Sequence, residues 1–198
     1  MLDWIINNYI EITGAVLGVL FLFFEIKQNW LLWPLGILTS LFYIFIFFQA
    51  KFYADMGLQV YYVVISIYGW WYWWRGTSDS DVDLPIVRVP SQLAWVLSAV
   101  TLPLFAIIAF VLVRFTDSPV PYWDAFTTAL SIVATWMLAR KILEQWYLWM
   151  IVNAVSLVLY VYKGLYPTVV LFAFYLVLSF LGYSQWKKAL DRGEKSDS

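Results

Sequence analysis

Gln145-Trp146-Tyr147-Leu148-Trp149-Met150-Ile151-Val152-Asn153 opens a run that meets no charged residue before Tyr162. A helix rises about 1.5 Å per residue and a bilayer's hydrocarbon core is about 30 Å thick, so such a run reads as a membrane span. The same opening stands earlier in the chain, as Asn29-Trp30-Leu31-Leu32-Trp33. A second pair of stretches follows in the same order: Ser66-Ile67-Tyr68-Gly69-Trp70-Trp71-Tyr72-Trp73 and Ser179-Phe180-Leu181-Gly182-Tyr183-Ser184-Gln185-Trp186. The spacing is 116 residues at the first match and 113 at the second, which predicts loops differing by three residues. Trp and Gly recur by composition in so aromatic a chain, but ordered matches at both ends of a repeat weigh against coincidence.

Outward from these matches, apolar segments run over Ile10–Glu25, Leu31–Phe48, Leu58–Trp74, Ala94–Val113, Tyr122–Ala139, Trp146–Tyr162 and Thr168–Trp186. The first lacks a Lys/Arg-rich start and a small-residue cleavage site, and reads as a retained span. The matched stretches stand an even number of spans apart, so the repeats are parallel. The expected architecture is an all-α membrane protein of seven transmembrane helices. Two three-helix repeats, residues 1–76 and 121–187, flank a linker at 77–120 that carries span four. Transporters with this three-plus-one-plus-three plan bind substrate between repeats near the midplane. The acidic stretch Thr77-Ser-Asp-Ser-Asp-Val-Asp-Leu-Pro precedes span four, and a charged tail at 188–198 is expected to fray.

Composition agrees. Of 198 residues 63% are hydrophobic and 13% charged, against roughly half and a quarter in soluble domains. Lys and Arg orient the chain. One face carries Lys51, Arg114 and Lys163; the other carries Lys27, Arg75, Arg88, Arg140, Lys141, Lys187, Lys188, Arg192 and Lys195. By the positive-inside rule the N-terminus is outside and the C-terminus cytoplasmic.

Much chemistry is excluded. Without Cys or His there is no thiolate nucleophile, Ser-His-Asp triad, thiolate metal site or ordinary haem ligation. No G-x-x-x-x-G-K-[ST] loop is present, no Lys stands in mid-span for a Schiff base, and no cofactor is expected. Net charge is −1, which argues against nucleic acid as a partner. A membrane-embedded enzyme would want clustered carboxylates on a metal, whereas Asp79, Asp81 and Asp83 read as a solvated linker. Short loops and the repeat argue against a seven-span receptor. A simple channel would show flux that never saturates.

Trp146, Trp149, Asn153, Ser156 and Tyr160 fall within about 80° of one another on a helix, as do Asp55, Gln59, Tyr62, Ser66, Gly69 and Trp73. A buried amide costs several kcal/mol unless paired, so Asn153 and Gln59 must face protein, water or ligand. Interhelical hydrogen bonding is the plainer role for an isolated Ser. An Asn one turn beyond two Trp on the same face points instead to a ligand site. The two indoles suit a planar, cationic heterocycle. Trp70, Trp71, Trp73, Trp74 and Trp186 lie near the cytoplasmic ends of spans, and most of them read as interfacial anchors. Glu25 is neutral, paired with Lys27, or a contact to a cationic ligand. In the 116-residue register Trp146 and Trp149 correspond to Trp30 and Trp33, Asn153 to Ile37 and Tyr160 to Ile44; Gln59 corresponds to Phe172. Such asymmetry fits one small-molecule site in a pseudo-symmetric frame.

Trp146-x-x-Trp149-x-x-x-Asn153 resembles the W-x-x-W-x-x-x-N signature of the PnuC family of bacterial vitamin transporters. Trp33-Pro-Leu-Gly-Ile, Tyr53-Ala-Asp-Met-Gly-Leu-Gln and Tyr68-Gly-Trp-Trp-Tyr-Trp are similar to it too, so the likeness runs from about Glu11 to Trp186. The resemblance implies a SWEET-like seven-span core in the inner membrane, assembled as a homotrimer. It implies facilitated diffusion of an unphosphorylated vitamin, trapped by a separate cytoplasmic kinase. Trp146, Trp149 and Asn153 would belong to the substrate site, joined by Gln59, Tyr62, Ser66, Ser156 and Glu25 from the residue reading. Family cargoes are chiefly nicotinamide riboside or thiamine, with riboflavin rarer. Glu25-Ile-Lys-Gln-Asn and the 53–59 stretch are more similar to the thiamine branch, PnuT. The few polar positions also suit one aminopyrimidine better than a ribose with its hydroxyls, so thiamine is the expected cargo.

Overall fold

The structure, a computed structural model, describes residues 9–49, 53–78, 84–162, 164 and 166–196. They form seven helices: α1 (Tyr9–Ile26), α2 (Leu32–Gln49), α3 (Tyr53–Ser78), α4 (Ser91–Phe115), α5 (Pro121–Ala139), α6 (Gln145–Tyr162) and α7 (Tyr166–Ser196). Each expected span lies inside one of them or within a residue of its start. The acidic residues Asp79, Asp81 and Asp83, and Lys51 and Lys163 of the charge count, lie outside the described residues.

The expectation of a fraying tail is corrected: α7 continues to Ser196. Lys187, Lys188, Ala189, Leu190 and Arg192 are good helix formers, and Lys187 stands four residues before Asp191, a spacing that supports a solvated helix.

By length and composition, Ser91–Phe115, Gln145–Tyr162 and Thr168–Gly193 are each apolar enough to cross a membrane, with shorter apolar stretches at Val16–Ile26 and Leu32–Phe45. α3 and α5 are diluted by Tyr and Trp in one and by Thr and Ser in the other. The two are used differently from α4. Only Ala109 of α4 is buried, while Trp95, Leu102, Ile107 and Phe110 are exposed, the pattern of a helix facing lipid. On α5 ten residues are buried, among them Ala125, Ala129, Ser131, Ala134, Thr135 and Ala139. Small side chains let neighbouring helices approach closely. Ser131 and Thr135 keep their hydroxyls satisfied on the carbonyls of Thr127 and Ser131, at 2.8 and 2.7 Å.

The chain divides into two compact units, Met1–Leu84 and Pro85–Ser198. In the first, α2 packs on α1 and α3; in the second, α5 packs on α4 and α6, and α6 on α7. The segment before α4 is strapped to the α5–α6 turn. Val87 donates its N–H to the Lys141 carbonyl (3.0 Å) and accepts from the Leu143 N–H (2.9 Å). Val89 donates to the Glu144 carboxylate at 2.8 Å.

The two units share an internal geometry at a single spacing of 113 residues. Gln28 and Lys141, 113 apart, are the described non-glycine residues with left-handed backbone, at φ 54° and 51°. Each turns the chain between two helices with matching bonds: Gln28 N to Glu25 O (3.0 Å) beside Lys141 N to Leu138 O (2.9 Å), and Asn29 N to Phe24 O beside Ile142 N to Met137 O, both 2.9 Å. Trp33 stands edge-on to Trp73 with centroids 5.3 Å apart, and Trp146 to Trp186 at 5.7 Å. Trp33 lies on Gly69 and Trp146 on Gly182.

The 116-residue register of the first match is therefore corrected. Trp146 corresponds to Trp33, Trp149 to Gly36 and Asn153 to Ser40. A slip of three lays one indole of W-x-x-W on the other, which is why the pattern alone misplaces it. The two turns are equal in length.

Candidate functional site

α6 owes its placement to the turn before it. The left-handed Lys141 reverses the chain, and Leu143, Gln145 and Trp146 enter α6 fully or almost fully buried. From there one face stays inside, with Trp146, Val152, Asn153 and Ser156 buried and Trp149 half-buried, while Tyr147, Ile151 and Val158 are exposed. The residues expected from the α6 stripe thus share a face. Tyr160 continues it, its ring 4.9 Å from Phe172 on α7.

Asn153 is 5% exposed and donates from Nδ2 to the Ser179 hydroxyl at 3.0 Å. Ser179, fully buried on α7, donates in turn to the Tyr175 carbonyl at 2.8 Å. The interhelical role weighed for Asn153 is therefore real, but it occupies only the NH2 side of the amide. Ser179 was not among the expected site residues. Its signal was its place at the head of the second matched stretch, opposite Ser66.

Three indole N–H groups, on Trp33, Trp146 and Trp149, are buried without a hydrogen-bond partner among the described residues. A buried unpaired donor costs about 1–3 kcal/mol, so each calls for an explanation. Trp33 and Trp146 are structural equivalents, so theirs belongs to the repeated frame. Trp149 has no equivalent indole. At the matching position of the first unit stands Gly36, where a β-carbon would meet the Ser66 hydroxyl at 3.0 Å and the Phe21 ring at 3.2 Å. The first unit is closed where the second carries Trp149.

The remaining candidates lie in the first unit. Ser66 is buried against Gly36, at a helix crossing. Gln59 and Tyr62 are half-buried, and Tyr62 stacks at a tilt on Tyr61, centroids 5.6 Å apart. Glu25 is 1% exposed, whereas Lys27 holds its ammonium 4.2 Å above the Phe23 ring. In the 113-residue register Glu25 corresponds to Leu138 and Gln59 to Phe172. Each unit therefore carries polar groups where the other is apolar or smaller, and the asymmetry survives the corrected register.

These features were compared with known proteins. The family model described as nicotinamide mononucleotide transporter matches residues 8–188. The nicotinamide riboside transporter PnuC of Escherichia coli (strain K12) is 29% identical, over 96% of this chain and 90% of that one. The riboflavin/roseoflavin transporter RibM of Streptomyces davaonensis is 24% identical, over 89% of this chain and 83% of that one. Among solved structures, the crystal structure of the vitamin B3 transporter PnuC is similar with a TM-score of 0.74 at 22% identity, covering 94% of this chain and 83% of that one, a likeness of fold.

Proposed function

Because the chain belongs to the nicotinamide mononucleotide transporter (PnuC) family, we propose that it is a uniporter for unphosphorylated thiamine in the bacterial inner membrane. It is a multi-pass membrane transporter and not an enzyme. The observation that carries the cargo class is the α6 face. The Trp149 N–H is buried without a partner among the described residues, one turn before an amide whose NH2 is already engaged. Together they offer a donor and an acceptor to the edge of a flat ring. An aminopyrimidine, with a ring nitrogen beside an NH2, matches that pair, and thiamine's cationic thiazolium suits the aromatic surroundings.

Nicotinamide riboside is the second reading. Its carboxamide offers the same acceptor beside a donor, and the Escherichia coli relative is named for it. Thiamine is placed first because the face supplies few further polar groups for ribose hydroxyls. Trp146, Ser156, Gln59, Tyr62, Ser66 and Glu25 are the other proposed contacts, with Trp146 serving as a wall. The carrier is proposed as a homotrimer with its C-terminus in the cytoplasm, where a kinase traps the vitamin.

Calorimetric titration of purified protein with thiamine, nicotinamide riboside and riboflavin tests the reading. Thiamine is expected to bind most tightly, with Asn153→Leu weakening it. Tighter binding of nicotinamide riboside overturns the cargo and leaves the carrier; binding of none overturns both cargo readings and the proposed site.

A further inference from the structure

The Ser179 hydroxyl has two close polar neighbours, the Tyr175 carbonyl at 2.8 Å and the Asn153 side-chain amide at 3.0 Å. A serine hydroxyl has one hydrogen to give and lone pairs to accept with. Two oxygens 2.8 Å apart repel unless a proton lies between them, and the Tyr175 carbonyl has none to offer. The Ser179 proton is therefore committed to Tyr175. What faces the lone pairs of Ser179 must be a donor, and on Asn153 that is the NH2. Amide orientation is ordinarily assigned from its hydrogen-bond network, and here the network admits one answer.

The consequence lies on the other side of the amide. Asn153 Oδ1 is turned away from Ser179 and takes no hydrogen bond among the described residues. Asn153 stands one helical turn beyond Trp149, whose N–H also has no partner among the described residues. In the first unit Ser66 stands where Ser179 does, but Ser40 replaces Asn153. A serine there has no amide to orient, so the presented oxygen belongs to the second unit alone.

We infer that Ser179 is a positioning residue for selectivity: it locks the Asn153 amide oxygen-outward, so that the carrier selects a ring edge bearing an NH2 over the analogue bearing oxygen. This rests on the proposed function, in which Asn153 touches the vitamin. Among the described residues the Ser179 hydroxyl hydrogen-bonds Asn153 and the Tyr175 carbonyl of its own helix. Without it the amide turns over, presenting NH2 or oxygen as the ligand requires, and discrimination is lost while the aromatic contacts persist.

The test uses two pairs of probes, thiamine with oxythiamine and nicotinamide riboside with the riboside of methyl nicotinate, neither of which changes net charge. In each pair an NH2 becomes oxygen. Wild type is expected to prefer the amino member of the pair it binds by about tenfold or more, one charge-neutral hydrogen bond's worth of discrimination. Ser179→Ala should bring the two members within about threefold, and Ser179→Thr, which keeps the hydroxyl, should restore the preference. Equal weakening of both members by Ser179→Ala, or an unchanged preference, overturns the positioning role. Should wild type bind neither pair, the vitamin reading falls, and positioning is decided on ligand-free protein labelled with 15N-asparagine. Slow exchange of the Asn153 NH2 in wild type and fast exchange in Ser179→Ala uphold it; equal rates overturn it.

Discussion

Trp146 lays its indole directly on Gly182, leaving no room for a β-carbon between α6 and α7. Trp33 covers Gly69 in the same way between α2 and α3. Alanine at either glycine gains about 1 kcal/mol of helix propensity but forces a fully buried indole aside, at about 1–3 kcal/mol. Both Gly69→Ala and Gly182→Ala are expected to lower the thermal unfolding temperature in detergent. Only Gly182→Ala should also weaken vitamin binding, because the displaced indole belongs to the helix face that carries Trp149 and Asn153. Equal loss of affinity in both variants would remove the distinction between frame and site.

The three indole N–H groups without a partner among the described residues separate the same two roles. Phenylalanine keeps an aromatic face and deletes the N–H. Trp149→Phe should cost about 1–3 kcal/mol of binding, roughly 5- to 150-fold in Kd, if that N–H meets the ligand. Trp33→Phe and Trp146→Phe delete donors that the frame leaves unpaired in both units, and should change affinity by less than about threefold. The measurement is vitamin titration of the three variants beside wild type.

The helices were legible because apolar runs of membrane length leave few alternatives, and the seven-helix order follows from them directly. The repeat was legible at Ser66–Trp73, where Ser, Gly and Trp together fix the register. It was not at Trp30–Trp33, where an indole every three residues matches itself after a slip. The feature that settles the register, left-handed backbone at Gln28 and Lys141, leaves no mark in residue type, since neither is Gly or Asn. Of the site, the α6 stripe could be read from spacing. Ser179 could not, because a hydrogen bond between helices depends on their crossing, and neither helix alone records it. The helical tail was missed because charge was weighed above helix propensity.

The strap ahead of α4 carries its own expectation. Glu144 accepts the Val89 N–H, and Val87 pairs by backbone with the turn that starts α6. Glu144→Ala leaves that N–H without its charged acceptor and should destabilise the protein by about 1–2 kcal/mol, with Glu144→Gln recovering part of it. Equilibrium affinity should stay within about twofold, because the strap touches the turn and not the Trp149–Asn153 face. Unfolding in detergent and vitamin titration check the two halves. A large loss of affinity at unchanged stability would place Glu144 in the substrate site instead.

Energy coupling gives the last prediction. Lysine is absent from mid-span, and the α6 face offers neutral groups, an indole N–H and an amide, rather than a carboxylate that cycles between charged and neutral forms. Proton- and sodium-driven carriers place ionisable or multiply coordinating groups in the membrane for that purpose. Glu25, buried at the end of α1, is the nearest approach to one, and it stands at a helix terminus rather than in the middle. Radiolabelled thiamine should therefore enter sealed proteoliposomes only until inside and outside concentrations match, and ionophores that collapse the proton and sodium gradients should leave the initial rate within about twofold. Enclosing a thiamine-phosphorylating kinase with ATP should turn this equilibration into net accumulation, as the proposed uniport of unphosphorylated thiamine requires. Accumulation of free thiamine without the kinase, abolished by ionophore and by Glu25→Gln, would show an ion-coupled carrier with Glu25 as its titrating group.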